Sequence, residues 1–322
     1  MNRMFTSMAV AATVMAASWG AAAQTVGFAT LPEGAINNLQ AKVMANVVQT
    51  HSNLQMRVIP VGGSSATLAA VQTGDAEFTI GDVQNAIDAF QGNQGFPQPS
   101  PDLRIVLTVQ VFPIGIMVRN DSDIKTVADL KGKKFPTGWQ QFPAGIPLSN
   151  AILATAGLSL DDVDPVPSSG LIPAADDFKI GKTVGTTIAL VAPKVAEVNA
   201  AIPGGVRFLS VEDGQAALDK VHTVRQGYGL TVIQPGGPYV GIHGPTRVLG
   251  IPLVITSSKN VSDDIVYKFT KAIAENKAEL VKGHPSFNGF FPDKRMSATY
   301  PFMNVHPGAI KYYKEKGIWE GK

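Results

Sequence analysis

Four times this chain passes from a short apolar run, through a small polar stretch, into a helix-period pattern. That alternation constrains the fold more than any single residue. The run Thr25–Ala29 leads through Leu31–Ala35 to a helical pattern over Gly34–Thr50, with Ile36, Leu39, Val43 and Val47 on one face. Met56–Val61 leads through Gly62–Ser65 to a helix over Thr67–Thr73 that stops at Gly74, and Phe78–Ile80 through Gly81-Asp82 to a helix over Val83–Phe90. The stretch "GKKFPTGWQQFPAGIPLSNAILATAGL" (Gly132–Leu158) repeats the unit, with Lys134-Phe135-Pro136 as strand, Gly138–Gly145 as loop and a helix from Leu148 to Gly157. Parallel strands need such crossovers, so the alternation predicts an α/β fold with mostly parallel sheets flanked by helices. In open sheets of this kind ligands bind beyond the carboxyl ends of the strands, which is where all four polar stretches fall.

Roughly 150 residues per domain is the usual guide, so a chain of 322 has the length for two lobes. Two apolar runs, Arg104–Val111 and Ile114–Val118, are separated by Pro113, and a third, Val248–Ser257, comes late. Pairing Ile114–Val118 with Leu249–Ile255 makes the chain cross between lobes twice. The first lobe is then 24–112 plus 256–322 and the second 113–255, joined by a two-strand hinge. Near the end, Ser262 reads as an N-cap, Asp263 and Asp264 complement the helix dipole, Ile265, Phe269 and Ile273 share a face, and Lys282-Gly283 closes the helix. That element is scaffold.

Arg3, the uncharged Ala-rich stretch Met4–Ala23 and Ala21-Ala22-Ala23 have the three-part form of a cleavable export signal over residues 1–23. The expected location is the periplasm, free of a lipid anchor. Cysteine is absent, which removes disulfides and thiolate metal sites. Charged residues are 16% against 45% apolar, the balance of a chain with a large core. Net charge is +2 and the basic residues are scattered, so no stripe exists to neutralise phosphates, and nucleic acid is not an expected partner.

The residues offer little catalysis. His51, His222, His243, His284 and His306 show no metal-binding spacing and read as surface or packing residues. "GGSSA" (Gly62–Ala66) resembles a nucleophile elbow between strand and helix, which leaves open a hydrolase using Ser64, although neither a base nor an orienting acid can be named. The same small residues also suit backbone donors facing a ligand. Asp161-Asp162 and Asp176-Asp177 read as helix-start caps. No cofactor is implied.

Several segments together resemble one family: "TGDAEFTI" (Thr73–Ile80), "IKTVADLKGKKF" (Ile124–Phe135), "SDDIVYKFTKAIAENKAEL" (Ser262–Leu280) and "HPGAIKYYKEKGIW" (His306–Trp319). The chain is similar to the solute receptors of TAXI-type TRAP transporters along nearly all of its mature length. The resemblance implies the type II periplasmic-binding-protein fold, with two α/β lobes closing on a small carboxylate or amino acid and docking onto TRAP permease membrane subunits. A binding subunit of a membrane sensor kinase would read the same way. The sequence departs from the family in its first loop, "TLPEGAINN" (Thr30–Asn38), in Phe142-Pro143-Ala144-Gly145, and at Val184 within "GKTVGTT" (Gly181–Thr187). The expected ligand contacts are Glu33, Gly34, Ala35, Gly63, Ser64, Ser65 and Asp82 from the first lobe and Trp139, Gln140, Gln141, Phe142, Ala144 and Thr186 from the second. Trp139 and Phe142 would supply apolar surface to the ligand or pack between the lobes, Gln140 and Gln141 would supply hydrogen bonds, and the helix starts a cradle for an anion without a salt-bridging arginine.

Overall fold

The computed structural model describes residues 24–321 apart from 94, 141 and 143, so the expected export signal and Gln141 lie outside the described residues. In chain order the elements are β1 (Gln24–Thr30), α1 (Ile36–His51), β2 (Leu54–Pro60), α2 (Ser64–Thr73), β3 (Phe78–Asp82), α3 (Val83–Gln91) and β4 (Leu103–Arg119). Then come β5 (Lys134–Gly138), α4 (Gly145–Thr155), β6 (Asp164–Ser168), α5 (Leu171–Lys179), β7 (Gly185–Ala189), α6 (Pro193–Ala201), β8 (Val206–Phe208) and α7 (Gln215–Val224). The chain finishes with β9 (Gly229–Ile233), β10 (Thr246–Ser258), α8 (Asp263–Glu275), α9 (Lys277–Gly283) and α10 (Pro307–Glu315).

β1 lies between β2 and β3 and is parallel to both, while β10 runs antiparallel between β3 and β4. In the first lobe, therefore, β2, β1, β3 and the start of β4 share one direction, with β10 against them. In the second lobe β7 and β8 pair antiparallel with the far half of β4, and β9 with the near half of β10. β5 and β6 form a separate parallel pair. β5 starts beside β7, where the Val184 N–H donates to the Lys134 carbonyl at 3.0 Å. The fold is the expected two-lobed α/β architecture on a two-strand hinge.

Two local expectations need correction. Pro113 does not separate two strands: β4 runs unbroken through it, with Pro113 opposite Gly250. Its ring fixes a φ compatible with extended backbone and removes one donor, while its carbonyl still accepts from Leu190 N–H at 3.0 Å. The return strand also pairs mainly with 103–114, not with 114–118. Ile255 lies opposite Leu107, Leu249 opposite Ile114, and β7 takes the segment beyond. Pro252, opposite Val111, is a second residue without a donor at the crossing. β10 pairs with β9 over 246–250 and with β3 over 253–257, so the change of lobe falls at 250–252.

The first-lobe core packs around Phe28, Phe78 and Phe269, the last two stacked at 4.2 Å between centroids. Ile265, Phe269 and Ile273 are all buried on the inner face of α8. The helix expected to run on to Lys282 breaks at Asn276, whose φ is −122° and whose Nδ2 donates to the Ala272 carbonyl at 2.8 Å, in competition with the backbone ladder. In the second lobe Leu148, Ala151 and Ile152 of α4 pack with Ile114, Ile116 and Leu249 of the crossing strands.

Candidate functional site

Strand direction brings the helix-opening ends of both lobes to one seam. β3 ends at Asp82 opposite Leu253, next to the crossing, and β1 and β2 are parallel to it. From the other side β7 ends at Ala189 opposite Ile114, and β5 and β6 run with it. The described residues of the connections 31–35, 61–63, 139–144 (139, 140, 142 and 144), 169–170 and 190–192, with the direct β3–α3 junction, therefore face one another across the interlobe cleft.

The six helices that open there share an unusual start. Only α3 has a side-chain cap, Asp82 Oδ1 accepting from Gln84 N–H at 2.8 Å. α1, α2, α4, α5 and α6 follow Ala35, Gly63, Ala144, Gly170 and Ala192, none of which offers a side-chain acceptor. Away from the cleft, Ser262 caps α8 and His306 caps α10, while α7 and α9 start after Gly214 and Asn276 without a side-chain cap. The first N–H groups of a helix have no intrahelical partner. Left uncapped, they and the helix dipole favour an anion.

Gly34, Ala35, Gly63, Ser64, Ser65 and Asp82 stand along the first-lobe side of this edge. Gly63, at φ 109°, makes the turn from β2 into α2, a backbone conformation that residues with a Cβ resist. Glu33 points outward instead. It pairs with Lys42 at 2.9 Å, both side chains being exposed, and that hydrogen bond and charge hold its carboxyl below the ordinary value. On the second-lobe side, Gln140 and Ala144 are exposed and Phe142 is partly buried against the core.

Trp139 is fully buried. Its ring lies on Gly145, where a Cβ would come within 2.6 Å of Cδ2, and its Nε1 has no hydrogen-bond partner. Its backbone sits at φ 48°, with the N–H donating to the Ser168 carbonyl at 2.8 Å. It forms the floor beneath the start of α4. Thr186 is fully buried inside β7 opposite Met117, with Oγ1 unpartnered, short of the strand's cleft end. The structure thus gathers the small first-lobe residues opposite Gln140, Phe142 and Ala144, and leaves Glu33, Trp139 and Thr186 away from the open edge.

The elbow geometry of "GGSSA" is also specific. The left-handed backbone belongs to Gly63, while Ser64 opens a regular helix. The histidine rings are engaged elsewhere: His51 with Glu279, His222 with the Tyr228 carbonyl, His243 with the Val206 carbonyl, His284 with Ser286 and His306 with the Val261 carbonyl.

Sequence reasoning missed the junction where the lobes touch. Tyr228 Oη donates to Asp82 Oδ2 at 2.7 Å, Gly227 N–H donates to Gln84 Oε1 at 2.9 Å, and Arg225 Nη1 lies 3.9 Å from Asp88 Oδ2. Gly227 packs so closely on α3 that a Cβ would meet Ile87 and Val83 at 2.8 Å. Burial pushes the Asp82 carboxyl up to about 6, against the lowering effects of the Tyr228 hydroxyl, the Gln84 N–H and Arg225; Asp88 adds to the rise. Burial raises Asp88 as well and lifts the Tyr228 phenol well above its ordinary value. The sequence "RQGYGL" (Arg225–Leu230) carries no hint of this beyond an aromatic between glycines.

Among the described residues, no helix is long and apolar enough to cross a membrane, and no three His, Cys, Asp or Glu side chains are grouped to hold a metal ion. Solved structures share the architecture at low identity. A TctC solute binding protein from Polaromonas superposes with TM-score 0.61 at 16% identity, over 83% of this chain and 90% of that one. The periplasmic sulfonate-binding protein SsuA from Methylobacillus flagellatus KT gives 0.55 at 14%, over 93% and 96%. The periplasmic aliphatic sulphonate binding protein SsuA from Escherichia coli gives 0.50 at 17%, over 92% and 88%. The sequence itself matches the NMT1-like family model over residues 35–317, and the chain belongs to the NMT1-like family.

Proposed function

We propose that this protein is a periplasmic solute receptor that captures a small organic acid or amino acid by lobe closure and delivers it to a TRAP-type membrane permease. The single observation that carries the reading is the seam: five helices from both lobes open onto it after Ala or Gly without a side-chain cap, although α6, which begins at Pro193, lacks the first N–H. One of the six helices at the seam has a side-chain cap, against two of the four elsewhere, and the uncapped N–H groups gathered from both lobes are donors for a guest. The type of permease rests on the four sequence segments that resemble TAXI receptors. The TctC and SsuA proteins belong to other transporter classes, and their shared fold leaves that choice to experiment.

Closure is a population shift, and a ligand drives it only through its greater affinity for the closed state. Moving from 1:99 to 99:1 takes about 5.5 kcal/mol. Several hydrogen bonds at about 1 kcal/mol net each and apolar burial at about 25 cal/mol per Å² reach that sum in a cleft of this kind.

Ala35→Asp tests the seam. Ala35 has N-cap dihedrals, φ −72° and ψ 145°, so Asp there stabilises α1 by about 1 kcal/mol. The same carboxylate occupies the donors and repels an anion. The expected result is a raised Tm together with binding weakened by about tenfold or more, measured by calorimetry on the best compound from a thermal-shift screen of organic acids, amino acids and aromatic carboxylates. Unchanged affinity in the stabilised variant would remove the helix starts from the site.

A further inference from the structure

If the cleft receives a solute as proposed above, its charge balance and its apolar rim restrict which solute. None of the connections at the seam contains a lysine or arginine, and their only charged residues are Glu33 and Asp82, both acidic. Glu33 is engaged with Lys42, and Asp82 with Tyr228 and the Gln84 N–H. The guanidinium at the junction, Arg225, faces Asp88 at 3.9 Å and acts on Asp82. Lys194, in the first turn of α6, is held by Asp176 at 2.7 Å and Glu197 at 2.8 Å, so a ligand carboxylate meets chiefly the partial charge of helix starts, about half a charge each. One anionic end can be held this way. A second, buried by closure without a cation, pays desolvation that nothing at the seam returns.

The rim has the opposite character. Ile36 and Leu39 in the first turn of α1, Ile146 at the start of α4, Ile172 at the start of α5 and Val191 between β7 and α6 are each 39–50% exposed. They are five of the ten large hydrophobic residues left exposed among the described residues, and they come from both lobes at the same edge. Closing the lobes on a hydrophilic solute would bring these side chains together around water and charge. Closing on an apolar body removes them from water with it.

We infer that the ligand is an organic monoanion with a sizeable apolar body, held by its charged end at the helix starts and by its chain or ring against the isoleucine rim. Di- and tricarboxylates and small polar amino acids fall outside this class. The conclusion deepens the receptor reading and rests on it.

The test is calorimetry on the mature chain at about pH 8 with butanoate, hexanoate and octanoate, and with adipate, the six-carbon dicarboxylate, against hexanoate. Affinity is expected to rise about fourfold per methylene, and hexanoate to bind at least about tenfold more tightly than adipate. Ile172→Ser, at an exposed position that leaves the fold intact by far-UV circular dichroism, is expected to flatten the chain-length series. Affinity independent of chain length, or adipate binding as tightly as hexanoate, overturns the ligand class. If adipate or glutamate binds tightly and X-ray scattering shows the lobes closing on it, the receptor reading stands and this inference alone falls. If neither series nor any amino acid binds or closes the lobes, both fall.

Discussion

Replacing Asp82 by Asn separates the charge of the interlobe junction from its shape. Asn keeps the cap, because its carbonyl accepts the Gln84 N–H, and its amide can donate to the Tyr228 hydroxyl. It removes the titration. The Asp82 carboxyl rises from an ordinary 3.8 to about 6 in the folded protein, chiefly through burial. At 1.36 kcal/mol per pKa unit, that is about 3 kcal/mol. The sign follows from proton counting. Between 3.8 and about 6 the folded state holds more protons at this site than the unfolded state, so this group's contribution to stability falls as pH rises through that window. Above it the folded wild type carries a desolvated carboxylate, and below it both states are neutral. Urea unfolding followed by circular dichroism, from about pH 4 to about pH 8, should therefore show Asp82→Asn and wild type close together at the acid end. The variant should be more stable by up to about 3 kcal/mol above pH 6. Taking the difference between the proteins cancels other groups, His306 among them. Burial lowers the value of His306, so it acts in the opposite sense, its contribution being lost as pH falls below the ordinary 6.5. A difference that stays constant across the range would refute the reasoning, since the carboxyl would then not be desolvated at the junction.

Tyr228→Phe leaves the Asp82 carboxylate short of a donor, so it should cost about 1–3 kcal/mol at neutral pH and less below pH 6; in an Asp82→Asn background the two costs should not add, which the same urea titration reads. Gly145→Ala places a Cβ within 2.6 Å of the fully buried Trp139 ring, which has nowhere to withdraw; a loss of about 1–3 kcal/mol, seen as a lower Tm, is expected. Ser64→Ala should leave stability nearly unchanged, and ester hydrolysis that vanished with it would revive the elbow reading.

The local grammar was legible in the sequence because it is short-range. Thr25–Ala29 and Phe78–Ile80 read as strands because apolar β-formers lie between turn residues. α1, α3 and α8 read as helices because their apolar positions repeat every three or four residues. Even the capless helix starts at Ala35 and Gly63 were visible, although their common omission means something only once the helices are seen to open on one seam. The site was read less well where burial decides. Trp139 in a polar loop read equally as ligand contact or as packing, and the absence of a Cβ at Gly145 lets its ring lie buried beneath α4. Thr186, expected among the ligand contacts, lies mid-strand in β7.

By itself, then, the sequence determined the alternation of strands and helices, the presence of two crossings and the polar loops between, since periodicity and turn chemistry are properties of neighbouring residues. Tertiary structure alone decided that Pro113 stays within one long strand and that Ile255 faces Leu107. It also decided that Tyr228, 146 residues from Asp82 along the chain, closes a hydrogen bond to it. Register and interlobe contact depend on which distant segments exclude water from each other, and no local pattern records that choice.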